Sequence, residues 1–258
     1  MKFASLGSGS EGNALLVAAS EGAVSTILMI DCGFGLRETE QRLARLGLRP
    51  ADISAVAVTH EHSDHVGGVF KFARRHRIPV WLSQGTYSAV REQADGVDVC
   101  FCRDGSSFRG GVLTISPYTV PHDAREPLQY VVAAGEAQLG ILTDAGHATP
   151  RMIAALSGCD ALMLECNYDS QMLAQSTYPP SLKRRIGGQY GHLSNRTGTE
   201  ILAAIDRSRL KTVVGAHLSK QNNTPALVLE ALCSVVDANA MRVMVACQEQ
   251  GLDWTEVA

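Results

Sequence analysis

No stretch of the 258 residues comes near the ~18 consecutive apolar positions that a membrane-spanning helix needs. No membrane partner is expected on that ground. A secretory signal is also missing. The opening Met1-Lys2-Phe3 turns Gly- and Ser-rich from Gly7, too soon for the apolar core of such a signal, so the expected location is cytoplasmic. There is no C-x-x-C pair. The seven cysteines are an odd number and read as small buried hydrophobes in a reducing compartment. Cys100 and Cys102 stand close together but have no further local ligands for a metal. Lysine is scarce, 5 of 23 basic residues, and the net charge is only −3. That excludes a protein that coats nucleic acid by bulk charge, though not a local basic groove. Low-complexity segments, Pro- or Ser-rich linkers and repeats of roughly 20–50 residues are absent too. One domain over residues 1–258 is expected.

The composition, 45% hydrophobic and 19% charged, is that of a globular chain. A chain of this length buries roughly three quarters of its unfolded surface and needs no disulfide staple. Short apolar runs bounded by Gly, Asp or Pro predict strands at 26–30, 55–58, 80–82, 112–115, 130–133, 139–142, 161–164, 212–214 and 242–246. Helical periodicity lies between them at 37–46, 69–77, 86–93, 150–156, 197–206 and 224–238. Strands come first, then strands alternating with helices, in two halves. A layered α/β or α+β domain follows, with helices covering sheets. Charge is unevenly spread: 170–199 holds no Asp or Glu but carries Lys183, Arg184, Arg185 and Arg196. That stretch is the best candidate for an anion-binding surface.

The strongest chemical signal is Thr59-His60-Glu61-His62-Ser63-Asp64-His65, directly after a predicted strand. Three imidazoles and a carboxylate within six residues suit zinc, manganese or iron. A strand end followed by a tight turn lets His60 and His62 reach one ion while Asp64 and His65 reach another. Further candidates each follow a strand-like run: His122 in Pro121-His122-Asp123, Asp144 in Thr143-Asp144-Ala145-Gly146-His147, and His217 in Gly215-Ala216-His217-Leu218-Ser219. As an ordered set they complete two coordination shells.

The series H-x-H-x-D-H, then His, Asp and His, resembles the metallo-β-lactamase-fold hydrolases along the whole chain. Five further motifs are similar to the YycJ/WalJ branch, relatives of ribonuclease Z and ribonuclease J. They are residues 5–13 (SLGSGSEGN), 30–34 (IDCGF), 121–127 (PHDAREP), 191–195 (GHLSN), and 217–219 (HLS) with Asn222-Asn223. The resemblance implies an α+β fold, a four-layer αββα sandwich with metals at one edge of its two sheets. It implies two divalent ions, Zn2+ or Mn2+, and a nuclease, a 5′-to-3′ exonuclease on double-stranded DNA. Carried over by residue, His60, His62 and His122 hold one ion, Asp64, His65 and His217 the other, and Asp144 bridges them. Asp31 orients the ligand loop by hydrogen bonds without touching a metal. The chain departs from the branch at Asn167-Tyr168-Asp169, where the branch carries Asn-His-Asp. Only 73 positions separate Asp144 from His217, too few for the inserted β-CASP domain of ribonuclease J.

In such a site two ions about 4 Å apart acidify a shared water, and a bridging hydroxide attacks phosphorus or carbonyl. His192, in the acid-free stretch, is the candidate proton donor to the leaving oxygen. His147 is read as a supporting residue behind Asp144. The Gly7–Asn13 loop can form a backbone nest for phosphate, with Ser8, Ser10 and Asn13 as added donors. Lys183, Arg184 and Arg185 fit phosphate tracking. Ser194, Asn195, Asn222 and Asn223 are candidate substrate contacts, the last two alternatively caps of a helix near Thr224. Nucleic acid, DNA before RNA, is the expected partner, with self-association open. The same metal core serves small thioesters, lactones and cyclic phosphates. A non-catalytic scaffold is the least favoured reading, because all seven ligands are retained.

Overall fold

The computed structural model describes residues 1–257. Alternation along the early strands sets the layering. In β2 (Ala14–Glu21), Leu15, Val17 and Ala19 face one core while Ala14, Leu16 and Ala18 face another. A strand buried on both faces reads as a continuous apolar run, and its sheet must be covered on both sides. β1 (Lys2–Gly7), β2 and β3 (Val24–Ile30) form an antiparallel meander. β4 (Ala55–Ala57), β5 (Val80–Leu82) and β6 (Val99–Phe101) then add in parallel. The crossovers are α1 (Leu36–Arg45), α2 (Ser63–Val66) with α3 (Val69–His76), and α4 (Gln84–Val90).

The second half builds a matching sheet. β7 (Phe108–Gly110), β8 (Leu113–Thr119), β9 (Leu128–Ala134) and β10 (Ala137–Leu142) are antiparallel neighbours. β11 (Ala161–Glu165), β12 (Thr212–Ala216) and β13 (Arg242–Val245) continue in parallel. Their connections are α5 (Pro150–Leu156), then α6 (Ser170–Gln175), α7 (Pro180–Ile186) and α8 (Asn195–Ala204), then α9 (Pro225–Cys233). β14 (Leu252–Glu256) crosses back to pair antiparallel with β1. The sheets run β14-β1-β2-β3-β4-β5-β6 and β13-β12-β11-β10-β9-β8-β7.

A central core lies between the sheets, with Phe3, Leu15, Val17 and Leu28 against Leu113, Ile115, Tyr130 and Ile141. An outer core packs Leu43, Phe70 and Phe72 on the first sheet. Another packs Met152, Ile201, Leu202 and Val228 on the second. The architecture is the expected αββα sandwich. Residues 145–216 hold four helices and two strands of the second sheet, so no extra domain is inserted there. No helix of the described residues is long and apolar enough to cross a membrane. Four of the seven cysteines, Cys32, Cys102, Cys159 and Cys166, are core residues as expected, whereas Cys100 and Cys247 are half-buried and Cys233 is exposed; burial pushes the Cys32 and Cys159 thiols up to about 12 and Cys102 to about 11.

Topology puts many strand ends on one edge. β1, β3, β4, β8, β10, β11 and β12 all finish there, because each is parallel to, or two antiparallel steps from, its reference strand in the same sheet. Tyr130 ties the two sheets just behind that edge: its buried hydroxyl donates to the Val58 carbonyl at 2.6 Å, two residues before His60. Tyr130→Phe should lower stability by about 1–3 kcal/mol, the cost of leaving a buried group unpaired. Urea unfolding should show a lower midpoint at unchanged m-value.

Candidate metal centre

Asp31 and the candidate ligands each leave the end of a strand. Asp31 follows β3, the His60–His65 run follows β4, His122 follows β8, Asp144 follows β10 and His217 follows β12. Among the described residues, four non-glycine residues have positive φ, and three are here: Asp31 (60°), Asp144 (54°) and His217 (55°). Such backbone is costly and persists only where the surroundings enforce it, commonly at functional sites.

Asp31 organises the first loop. Its Oδ1 accepts the Thr59 N–H and its Oδ2 the Thr59 hydroxyl, each at 2.8 Å. The same Oδ2 stands 2.7 Å from His65 Nδ1. Thr59 Oγ1 lies 3.0 Å from His60 Nδ1. Both rings are thereby aimed with Nε2 forward. The ligand atoms of His60, His62 and His122 lie within 4.8 Å of one another, as do those of Asp64, His65 and His217, and those of His60, His65 and Asp144. Asp144 touches both sides: Oδ2 is 3.0 Å from His65 Nε2 and Oδ1 3.9 Å from His122 Nε2.

Two buried atoms in this cluster lack a hydrogen-bond partner, His60 Nε2 and Asp144 Oδ2, the latter despite its 3.0 Å approach to His65. Buried polar atoms are rarely left so. Unpaired imidazole and carboxylate atoms converging at ligand distance fit a divalent cation. The electrostatics agree. Burial, with His65 nearby, pushes His60 well below the usual imidazole range, so it is neutral and ready to ligate. Burial disfavours charge on the other groups too, but opposite charges prevail. Asp144, Asp64 and Asp31 hold His65 well above its usual value. Asp144, Asp64 and Glu165 bring His217 up to about 9. His217 and His65 hold Asp144 well below the carboxylate range.

The profile of the β-lactamase superfamily domain matches residues 26–218. The chain belongs to the metallo-β-lactamase superfamily. Its sequence is 31% identical over 248 residues to a Bacillus anthracis protein named exodeoxyribonuclease YycJ, spanning 94% of this chain and 92% of that one. It is 31% identical over 231 residues to exodeoxyribonuclease WalJ of Streptococcus pneumoniae, covering 88% and 84% of the two chains. Among solved structures, the metallo-β-lactamase-fold protein YhfI of Bacillus subtilis superposes over 99% of both chains with TM-score 0.74 at 14% identity. As a metallo-β-lactamase-fold protein of the YycJ/WalJ branch, the chain is a metal-dependent hydrolase.

This metallo-β-lactamase centre includes residues that sequence reading missed. Glu165, fully buried at the end of β11, accepts the Ala145 N–H at 2.9 Å and the Leu193 N–H at 3.2 Å. Its other oxygen is 2.9 Å from His192 Nδ1, which also lies 3.2 Å from Asp144. Against the pull of burial, Asp144 and Glu165 bring His192 up to about 10. Asn167 donates to the His217 carbonyl at 2.8 Å. Asp123 Oδ1 stands 3.5 Å from His122 Nε2 and 3.7 Å from His62 Nε2, with Arg185 on its other oxygen. Glu61 accepts the Arg125 N–H at 2.8 Å and so ties the first loop to the 121–127 loop.

Several expected substrate contacts are instead spent on the protein. The Gly7–Asn13 loop is no phosphate nest: the N–H groups of Ser8, Gly9, Glu11, Gly12 and Asn13 bond Cys247, Asn13, Gln248, Gly9 and Asp64. Ser8 Oγ accepts the His217 N–H, and Asn13 Nδ2 braces Asp64 and His65. Ser194 caps α8. Asn195 and Asn223 bond each other, and Asn222 bonds Ser219. His147 is exposed and donates to the Gln189 carbonyl rather than to a residue of the cluster. Ser10, Arg184 and Arg185 are exposed, and Lys183 is half-buried with Nζ on the Ala174 carbonyl. The half-buried Tyr168 makes an isolated bridge to Ser194 beside α7.

Two outcomes are expected. Asp31→Ala should weaken metal binding by roughly 10–100-fold, the usual loss when a ligand's supporting partner is removed, as measured by chelator competition. Gly33 packs on the ligand loop so closely that a Cβ would sit 1.9 Å from the Asp64 carbonyl oxygen. Gly33→Ala should therefore cost about 1–3 kcal/mol in thermal or urea unfolding, and lower metal content as well.

Proposed function

We propose that the protein is a dinuclear metal-dependent exonuclease that degrades double-stranded DNA in the 5′-to-3′ direction. The observation that carries the reading is His192 standing on the Asp144–Glu165 carboxylates beside the ligand cluster, in a chain matching relatives named exodeoxyribonuclease over nearly all its length. A proton donor fixed at the rim of a metal cluster is what phosphodiester cleavage needs, because the leaving oxygen must be protonated.

His60, His62 and His122 would hold one ion, Asp64, His65 and His217 the other, with Asp144 shared. When bound, two divalent ions, zinc or manganese, supply an acidified water and neutralise the attacked phosphate. Asp31 and Asn13 hold the ligand loop so that its rings need not reorganise. Glu165 keeps His192 charged and oriented through Nδ1, leaving Nε2 for the leaving oxygen. The His192 side chain is 23% exposed while the Glu165 side chain is fully buried, so the imidazole reaches substrate and the carboxylate stays dry. Arg184, Arg185 and Lys183 on α7 supply positive charge for the phosphate backbone, and binding should weaken with salt accordingly.

The test is degradation of a 5′-phosphorylated duplex, labelled at the 5′ end or internally, by protein stripped of metal and reloaded with zinc or manganese. Early release of short 5′-end products is expected. Asp64→Ala should reduce the rate on the order of a thousandfold, several kcal/mol of lost charge stabilisation. His192→Ala should retain metal and lower kcat by roughly 10²–10⁴. No release from protein shown to hold two ions would end the duplex-DNA reading and direct the assay to RNA and small esters.

A further inference from the structure

We propose that Tyr190 is the platform on which the terminal nucleobase of the substrate stacks, with Arg185 taking the adjoining phosphate. The inference deepens the exonuclease reading and rests on it. Among the described residues, four large apolar side chains are more than a third exposed: Val24, Phe101, Tyr190 and Leu229. Tyr190, at 60%, is the most exposed of them, and it is the one whose backbone is built into the metal centre. Its carbonyl accepts the Asp123 N–H at 3.0 Å. The next carbonyl, of Gly191, is 2.9 Å from His122 Nδ1, and the residue after that is His192.

The loop that carries the ring is held from several sides. The His192 N–H bonds the Ile186 carbonyl at 2.8 Å and the Gly191 N–H bonds Gly188 at 3.0 Å. His147 Nδ1 donates to Gln189 at 2.9 Å. Gly146 lies so near that a Cβ there would be 2.1 Å from the Gln189 carbonyl oxygen. An aromatic ring exposed on a braced loop loses little freedom on binding, and every nucleobase offers it a π-face. The charge nearby suits the same ligand. Arg185, 61% exposed, donates to Asp123, whose other oxygen stands beside His62 and His122. A planar guanidinium at this point is suited to a phosphate oxygen pair, and the surrounding 170–199 segment holds no carboxylate.

The experiment uses metal-loaded wild type, Tyr190→Ala, Tyr190→Phe and Phe101→Ala on two 5′-phosphorylated duplexes, one intact and one abasic at the 5′-terminal nucleotide. Stacking a base on an aromatic ring is worth roughly five- to 150-fold in affinity. Tyr190→Ala should raise KM for the intact end by a factor in that range with kcat within about twofold, while Tyr190→Phe and Phe101→Ala leave KM unchanged. On the abasic end wild type should lose the same factor and Tyr190→Ala should lose nothing more. A Tyr190→Ala variant that matches wild type, or that is penalised equally on both ends, overturns the proposal. A second readout is independent of turnover: 2-aminopurine at the 5′ terminus should be quenched on binding by wild type and not by Tyr190→Ala. If wild type degrades neither duplex, the exonuclease reading fails by itself. The quench then decides the platform: a Tyr190-dependent signal sustains it, and equal signals remove it.

Discussion

One buried carboxylate sets the metal centre. Asp31 accepts from the Thr59 backbone and hydroxyl and stands against His65 Nδ1, and the same hydroxyl touches His60 Nδ1. Two candidate ligands five residues apart are thus indexed to a single point just after β3. Without that point, the His60–His65 turn would have to trade freedom for order each time an ion bound, and the affinity of the whole cluster would fall. The laced backbone around it, with the Cys32 N–H on the His65 carbonyl and the Asn13 N–H on that of Asp64, makes the turn an extension of the first sheet.

The sandwich explains why so many polar groups can share so small a volume. Parallel strands from two sheets end on one edge, and the apolar residues behind them supply the stability that the buried charges draw on. Fully buried Glu165 is tolerable because two backbone N–H groups and His192 satisfy it, and an unpaired charge at that depth would cost several kcal/mol. The left-handed backbone at Asp31, Asp144 and His217 belongs to the same trade. Hydrogen bonds on neighbouring residues hold conformations that these side chains would otherwise leave.

What could be read from the sequence was what is local in it. The H-x-H-x-D-H run is contiguous, and His122, Asp144 and His217 each punctuate the end of an apolar run, so the cluster of candidate ligands and the layering were both visible. Helix 150–156 and strand 80–82 were predicted with the boundaries observed. Glu165 escaped notice because it closes a five-residue strand that is otherwise wholly apolar, and its partners lie 20 to 28 positions away. The Gly7–Asn13 loop misled for the opposite reason. Its composition is that of an anion nest, but the Ser8 and Glu11 donors are taken by residues about 240 positions downstream, and those of Gly9, Gly12 and Asn13 by Asn13, Gly9 and Asp64. Asn195 and Asn223 likewise looked free because their partner is each other. Hydrogen-bond satisfaction across the fold leaves no mark on local pattern.

The return of β14 to the first sheet carries a consequence for synthesis. β1 has its outer hydrogen-bonding edge covered only by residues 252–256, and the Gly-rich loop under His217 is held by Cys247 and Gln248. On the ribosome the first sheet therefore waits, one edge open, until residues 252–256 have emerged. An unpaired strand edge is a template for association between chains. Translation that stalls between residues 217 and 247 leaves a chain whose candidate ligand residues are all present but in which the outer edge of β1 is still uncovered.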